Sequence, residues 1–299
     1  MELKAKIFGM ILGDGWLSVG VNKRSSMYYR CGCSGDPEGL KNLQRDLTKV
    51  FGIENGNIYT YQTSSPKYGI SGTTSSINIR TAVAKELIKL GMPIGKRTEV
   101  EFLLPEWIVN GNREVKEGFI SGLFAAEGSI PKMQKNDKTL KAPTITLTKR
   151  KRLEKNFYVF IKQLSDILSD LNIEHNIKFK ITHTVAENIR ADIVICNNQE
   201  NLYRLFHLLD LDYCPKKNEK LQHLRAYYAY RQEILEKIKQ AKEEAITYRN
   251  IPARIIAEKY GLTQSHIEHF RYDNAGVQLP KSILTFTEFK QLSSPTKAI

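Results

Sequence analysis

The chain has 299 residues, of which 41% are hydrophobic and 26% charged, and it carries a formal net charge of +13. That length suits two domains or one duplicated domain with an extension. The apolar share is ample for a packed core, and the basic residues, spread along the whole chain, point to an anionic partner. No stretch has the roughly 20 apolar residues of a membrane span and the N-terminus lacks a signal-peptide pattern, so a soluble intracellular protein that does not enter membranes is expected.

In chain order, residues 7–15, IFGMILGDG, read as an apolar helix with Gly9 and Gly13 four apart, closed by Asp14 and then Gly15. Residues 16–19 and 27–34 read as a hairpin with Lys23 and Arg24 in its turn. Asp36-Pro37 starts a helix whose Leu40, Leu43, Leu47 and Val50 recur at helical spacing up to Gly52. Residues 58–62 and 77–80 are strand candidates, joined by the Ser, Thr and Gly-rich segment 63–76, and 82–90 is a short helix ending at Gly91. Pro105 and Trp107 mark a joint. A second apolar helix follows, GFISGLFAAEGS over 118–129, and then a hairpin of 129–133 and 144–148 around the basic loop 134–141. Next come a long helix (153–171), strands at 177–184 and 192–196, and a helix at 199–209. The order of helix, two strands, helix, two strands therefore occurs twice.

Residues 221–242 form a charged helical pattern. Beyond it, a helix starting at Pro252, a turn at Gly261-Leu262-Thr263 and a second helix carrying Gln264, Ser265, His266, His269 and Arg271 resemble a helix-turn-helix, with Ala257, Tyr260, Leu262 and Ile267 as its small core. In that motif the early residues of the second helix face base edges, which makes Gln264 and His266 DNA-contact candidates. The tail 293–299 reads as disordered. The four cysteines, Cys31, Cys33, Cys196 and Cys214, form no C-x-x-C pair and read as reduced thiols rather than a zinc site.

The two apolar helices align without a gap, IFGMILGDG over ISGLFAAEG. Gly9 and Gly13 match Gly122 and Ala126, the acids Asp14 and Glu127 coincide, and a glycine follows each. Small residues at i and i+4 give a helix one flat face, on which two backbones can approach closely. The closing glycine reads as the usual left-handed residue past a helix end. Paired in parallel, the helices would set Asp14 beside Glu127. That is unfavourable for two carboxylates at negative dipole ends, and a divalent cation reverses the sign of the argument.

This pair resembles the two motifs of a single-chain LAGLIDADG homing endonuclease. The resemblance covers roughly residues 1–230. It implies an α+β fold in which tandem αββαββα repeats form a pseudo-two-fold DNA-binding saddle, here with a small helical C-terminal extension. The repeats would span 1–105 and 106–232, with the extension and its helix-turn-helix at 233–299.

The activity implied is site-specific cleavage of both strands of a long pseudo-palindromic DNA site by a monomer. The cofactor would be Mg²⁺ or another divalent cation such as Mn²⁺ or Ca²⁺, held by Asp14 and Glu127 with the carbonyls of Gly13 and Ala126. By the same resemblance Lys96 and Lys216 lie near the scissile phosphates, with Arg97 and Lys217 as their secondary companions. Base and backbone contacts would come from alternating strand residues: Ser18, Lys23, Arg24, Tyr28, Arg30, Arg80, Lys132, Gln134, Thr144, Thr146, Lys149 and Arg190.

The motifs depart from the family spelling at Leu12, Gly13 and Ala125, and the second acid is Glu rather than Asp. A competing reading on the same fold is a non-catalytic nucleic-acid binder, either a transcription regulator or a maturase acting on intron RNA. An acid at both motif ends favours the nuclease. An intein is disfavoured, since the sequence starts at Met1 and does not end in His-Asn.

Overall fold

The structure is a computed structural model describing residues 1–21, 27–54, 56–65, 70–129, 132–182, 187–272 and 276–293. Two helices, α1 (Glu2–Asp14) and α5 (Arg113–Glu127), run through its centre. Both are buried nearly all round, over residues 5–13 of α1 and most of 115–125 of α5, which explains why neither shows the polar stripe of a surface helix.

They pack in parallel, backbone against backbone. A Cβ added to Gly9 would lie 2.3 Å from the Phe119 carbonyl oxygen, one on Gly122 2.0 Å from the Lys6 carbonyl oxygen, and one on Gly13 2.1 Å from the Ala126 Cβ. The contact advances together along both chains, from Gly118 on Glu2 to Gly13 on Ala126, so both helices end at one place.

From each central helix the chain builds a sheet. After α1 come β1 (Gly15–Val21), β2 (Met27–Gly35), α2 (Pro37–Phe51), β3 (Ile58–Ser65), β4 (Ile70–Ile79) and α3 (Thr81–Lys89). The short α4 (Glu106–Val109) leads into α5. After α5 come β5 (Lys132–Met133), β6 (Leu140–Lys141), β7 (Thr144–Arg150), α6 (Glu154–Asp170), β8 (His175–Thr182), β9 (Asn188–Ile195) and α7 (Gln199–Leu208).

The first sheet has the order β1-β2-β4-β3 and the second β7-β9-β8, all antiparallel, so β2-β4-β3 and β7-β9-β8 are counterparts. The expected α+β class and the twofold element order are present. Local signals work as read: the Asp36 carboxylate caps the Glu38 amide, Pro37 opens α2, and Gly52 closes it at φ 65°.

Several expectations need correcting. Gly15 (φ −93°) and Gly128 (φ −71°) are extended, not left-handed. They are small because a Cβ would strike the Ile11 and Phe124 carbonyl oxygens, at 2.6 Å and 2.5 Å. Within the segment 63–76, residues 63–65 belong to β3 and 70–76 to β4 rather than to a loop, and 66–69 lie outside the described residues. The expected hairpin is present only at its start, where Gly128 bridges Ile145 and the Ser129 amide donates to the Thr144 carbonyl at 2.8 Å; β5 (Lys132–Met133) pairs instead with β6 in a separate ribbon.

The charged helix is much longer than its periodicity suggested. It is α8 (Pro215–Thr247), 33 residues, so Lys216 and Lys217 belong to its first turn. Past it lie α9 (Ala253–Tyr260), α10 (Gln264–Tyr272) and α11 (Phe286–Ser293), the last unforeseen. The helix-turn-helix shape holds, with Ile256, Ala257 and Ile267 buried against Ile238, Ala241 and Ala245 of α8. The tail expectation falls outside the described residues except at Ser293.

Because the Lys6 carbonyl leaves no space at position 122, Gly122→Ala should destabilise the protein by roughly 1–3 kcal/mol or more. Gly72→Ala, where a Cβ meets nothing within 4 Å, should change stability by less than about 0.5 kcal/mol. Chemical denaturation of both variants checks the contrast.

Candidate active site

Asp14 and Glu127 are the last residues of α1 and α5, and the parallel packing brings them together between the two sheets. Burial pushes the Asp14 carboxyl above its ordinary value, against the pull of Lys217 and Arg97. Burial does the same at Glu127, opposed by Arg97 and reinforced by Asp14. Two carboxylates at negative helix ends are thus held at a cost in free energy that their basic neighbours only partly offset.

Those neighbours arrive from a loop and from a helix start. Residues 95–98 are stitched between the sheets, the Gly95 amide donating to the Leu17 carbonyl at 2.7 Å and the Arg150 amide to the Thr98 carbonyl at 2.9 Å. This holds Arg97 Nη1 3.7 Å from Glu127 Oε1. From the first turn of α8, Lys217 Nζ donates to the carbonyls of Phe124 (3.3 Å), Ala125 (2.7 Å) and Ala126 (3.1 Å), capping α5 from the side.

The expected order within each basic pair is therefore reversed in space. Lys96 is exposed and bonded to Glu99 at 3.0 Å, and Lys216 is exposed with its nearest acid, Asp36, at 3.9 Å. A two-residue motif read from sequence does not say which member turns inward; the stitching of 95–98 and the helical phase of α8 decide that.

A cavity of about 480 Å³ opens beside the acids, lined by Trp16, Arg97, Glu127, Thr146 and Thr148. Among the described residues no three His, Cys, Asp or Glu side chains cluster as metal ligands. A cation here would rely on the two carboxylates and on helix-end carbonyl oxygens. That all-oxygen donor set fits a hard divalent ion, and no side chain among the described residues donates to the Leu12 or Gly13 carbonyl.

The sheet registers sort the remaining candidates. On the first sheet Ser18 pairs with Arg30, and Gly20 with Tyr28, on one face; Arg30 Nε donates to Tyr28 Oη at 2.9 Å. Across the same face Trp16 lies over Gly32, and Tyr59 and Tyr61 are exposed. On the second sheet Asp192 pairs with Thr146 on one side and Lys178 on the other, and Arg190 with Thr148 and Lys180. Arg190 Nε donates to Asp192 Oδ1 at 2.8 Å, as does Thr146 Oγ1.

Lys178 and Lys180 were missed, although the alternation Lys178-Phe179-Lys180-Ile181 marks them. Lys149 sits one residue out of phase with Thr144, Thr146 and Arg190 and points into the core. It is only 2% exposed, lies 4.0 Å over the Phe102 ring and donates to Asn156 Oδ1 at 2.8 Å. It is therefore corrected from a surface contact to a buried lysine.

Arg80 is exposed at the N-cap of α3, and Lys132 and Gln134 are exposed on and beside the β5-β6 ribbon. Gln264 and His266 are exposed on α10 and bond Glu268 and Thr263 at 2.7 Å and 3.0 Å. Lys23 and Arg24 lie outside the described residues. Cys31 and Cys33 are free and buried, and burial pushes the Cys31 thiol up to about 12 and Cys33 further up, which leaves both unreactive.

Burial pulls Lys149 down to about 8 from 10.5. A lysine lowered in the folded state holds fewer protons there than in the unfolded chain, so stability should rise with pH between those two values. Lys149→Met should remove that rise in melting temperature; a slope equal to that of the parent protein would contradict the burial.

Comparison with known proteins places these features. Residues 114–209 match the family model of a LAGLIDADG-like domain. A tRNA-splicing ligase RtcB of Methanopyrus kandleri is 29% identical over 310 aligned positions, which take in 96% of this chain and 29% of the ligase. The replication factor C small subunit of Methanocaldococcus jannaschii is 29% identical over 296 positions, 95% of this chain and 15% of that protein. The chain thus spans less than a third of the length of these relatives.

Among solved structures, the homing endonuclease I-DmoI in complex with DNA and Ca aligns at TM-score 0.46 and 18% identity, covering 74% of this chain and 97% of that one. The LAGLIDADG homing endonuclease I-GzeII with its DNA target aligns at TM-score 0.43 and 9% identity, covering 92% and 99%. The part of the chain that is similar to a LAGLIDADG-like domain, residues 114–209, holds the glycine-packed helix α5, its sheet and its flanking helices.

Proposed function

We propose that the protein is a divalent-metal-dependent homing endonuclease that binds a long duplex DNA site across its two sheets and hydrolyses both strands. The observation that carries this reading is the pair of destabilised carboxylates, Asp14 and Glu127, at the joint end of two parallel helices, midway between two strand faces that bear exposed arginine, lysine and tyrosine. A net charge of +13 suits a phosphate backbone, and affinity dominated by phosphate contacts falls steeply with salt.

The relatives support the same reading. A tRNA-splicing ligase and a replication factor subunit differ in their stated roles, yet each contains one segment matching nearly all of this chain. That distribution suits a module that moves between genes, as a DNA-cutting element does, better than it suits ligation.

In this reading Asp14 and Glu127, with the Gly13 and Ala126 carbonyls, hold Mg²⁺ or a similar ion, which supplies Lewis-acid polarisation of the phosphate and neutralises charge on the leaving oxygen. Arg97 orients Glu127 and adds positive charge where the phosphorane develops. Lys217 holds the end of α5. Arg30, Tyr28, Arg190, Lys178 and Lys180 touch bases and backbone, with Lys96 and Lys216 reaching phosphates farther out. The saddle acts as a monomer of two repeats, 1–105 and 106–232, although α8 runs unbroken through the second boundary. The helix-turn-helix adds contacts through Gln264 and His266.

Incubating the protein with Mg²⁺ and a library of long random duplexes should yield a single class of cut sequence. Asp14→Asn and Glu127→Gln should each lower cutting by at least about 10²-fold while leaving duplex affinity within a few-fold, because the acids meet metal and not phosphate. Binding without any cleavage would instead support a regulator or an intron-RNA maturase. Gln264→Ala with His266→Ala should weaken duplex binding at unchanged melting temperature; unchanged affinity would make α9 and α10 a structural cap.

A further inference from the structure

The basic loop 134–141 carries one acid, Asp137, among Lys135, Lys138 and Lys141. In a segment expected to meet phosphate, a carboxylate opposes binding unless another group engages it. Here α11 engages it. Asp137 takes a left-handed backbone, φ 51°, which aspartate tolerates better than most side chains, and turns towards the start of that helix. Its Oδ2 accepts from the Thr287 amide at 2.7 Å, and its carbonyl accepts from the Phe286 amide at 2.9 Å. First-turn amides have no acceptor within their own helix, and a negative charge is favourable beside them.

The helix does not depend on Asp137 for its cap. Thr285 and Glu288 form a capping box, the Glu288 amide donating to Thr285 Oγ1 at 3.2 Å and the Thr285 amide to Glu288 Oε2 at 2.7 Å. The bonds to Asp137 therefore join two elements. Further contacts seat both on α8: Lys138 Nζ donates to the Lys281 carbonyl at 2.6 Å, and Arg231 of α8 donates to the Lys138 carbonyl. Tyr227 Oη donates to the Leu284 carbonyl at 2.9 Å, and the rings of Phe286 and Phe289 lie 5.4 Å and 5.5 Å from that of Tyr227.

The β5-β6 ribbon needs such support. Its strands pair only at Lys132 with Lys141 and Met133 with Leu140, whereas the counterpart hairpin in the first repeat is paired along all of Gly15–Val21 and belongs to a four-stranded sheet. An isolated ribbon is at best marginally stable in water.

We propose that residues 280–293 are a brace that holds the β5-β6 ribbon in place, with Asp137 as the positioning residue, so that recognition at the second repeat's end of a bound duplex is set by a segment outside both repeats. This rests on the DNA-binding reading above and deepens it. Held by the brace, the ribbon presents the exposed Lys132, Gln134 and Lys135 in one arrangement, and the entropy cost of ordering them is incurred on folding rather than on binding. In the first repeat the strand ladder does this alone.

Three variants of the full chain test the brace. Asp137→Gly keeps the left-handed backbone accessible and removes the carboxylate, while Asp137→Asn removes the charge and keeps an oxygen acceptor, so the two together separate bracing from charge. Thr287→Pro removes the same bond from the α11 side, in a first helical turn where proline is tolerated. Without DNA, amide hydrogen exchange across 132–141 should quicken on the order of fivefold in Asp137→Gly and Thr287→Pro and stay near the wild-type rate in Asp137→Asn. In binding selection from a library of random duplexes, without cleavage, the wild type and Asp137→Asn should enrich one motif. Asp137→Gly and Thr287→Pro should enrich a motif whose base preferences are lost at one end only. Unchanged exchange, or a motif kept equally at both ends, would overturn the inference alone. Enrichment of no duplex by the wild type would overturn the DNA-binding reading and this inference with it. Thr287→Pro leaves the ribbon sequence intact and decides the matter if Asp137→Gly does not fold.

Discussion

Between α1 and α5 two helix backbones touch: the Lys6 carbonyl oxygen stands where the side chain of any residue but glycine at 122 would begin. From that contact the rest follows. It fixes the helices in parallel and in register, so that two chain segments 113 residues apart in sequence finish side by side, and it anchors the sheet that each helix leads into. The buried Lys6 extends the same constraint to the second repeat, its ammonium joining Asp210 and Asp212 and lying 4.5 Å over the Tyr213 ring. Tyr213 in turn donates to Asp46 on α2 at 2.9 Å. The helix pair, α2 and the segment 210–213 that precedes α8 are thereby tied in one polar network within an otherwise apolar core.

The same packing creates the site. Parallel helices put their negative ends together, and the sequence places an acid on each, so the arrangement opposes its own electrostatics. Burial raises both carboxyls, and each feels both nearby cations, Lys217 foremost at Asp14 and Arg97 foremost at Glu127. A fold that accepts this strain at its centre does so where a positive ligand would relieve it. The strand faces on either side differ as well: the first is rich in tyrosine with Trp16 and Arg30, the second carries Lys178, Lys180 and Arg190. In the proposed function, a duplex lying across both would meet a stacking and hydroxyl-rich surface on one half and a cationic one on the other.

Much of this was legible in the sequence because it rests on short-range rules. The gapless alignment of Gly9, Gly13 and Asp14 with Gly122, Ala126 and Glu127 gave the helix pair and its acids, and Asp36, Pro37 and Gly52 bounded α2. What was not legible depends on distant partners. Gly15 and Gly128 were read as left-handed caps, but the crowding that selects glycine there comes from carbonyls one turn back. Lys149 was read from alternation alone, and only the register of β7 against β9 shows that its phase is the inward one. Arg97 and Lys217 were ranked below Lys96 and Lys216 because nothing local says which basic residue the 95–98 loop and the first turn of α8 direct inward. Residues 63–76 read as loop by composition, though strand pairing overrides their serine, threonine and glycine content.

The central claim is that the carboxylates at the end of the helix pair form a cation site at which the fold is strained until an ion binds. The most direct measurement is the melting temperature as a function of Mg²⁺ concentration, for the wild type and for the double variant Asp14→Asn, Glu127→Gln. An ion bound only by the folded state raises the melting temperature by mass action. The wild type should therefore melt higher as Mg²⁺ increases, while the double variant melts higher than the wild type without Mg²⁺ and does not respond to it. Equal responses of the two proteins, or a double variant less stable than the metal-free wild type, would contradict the account.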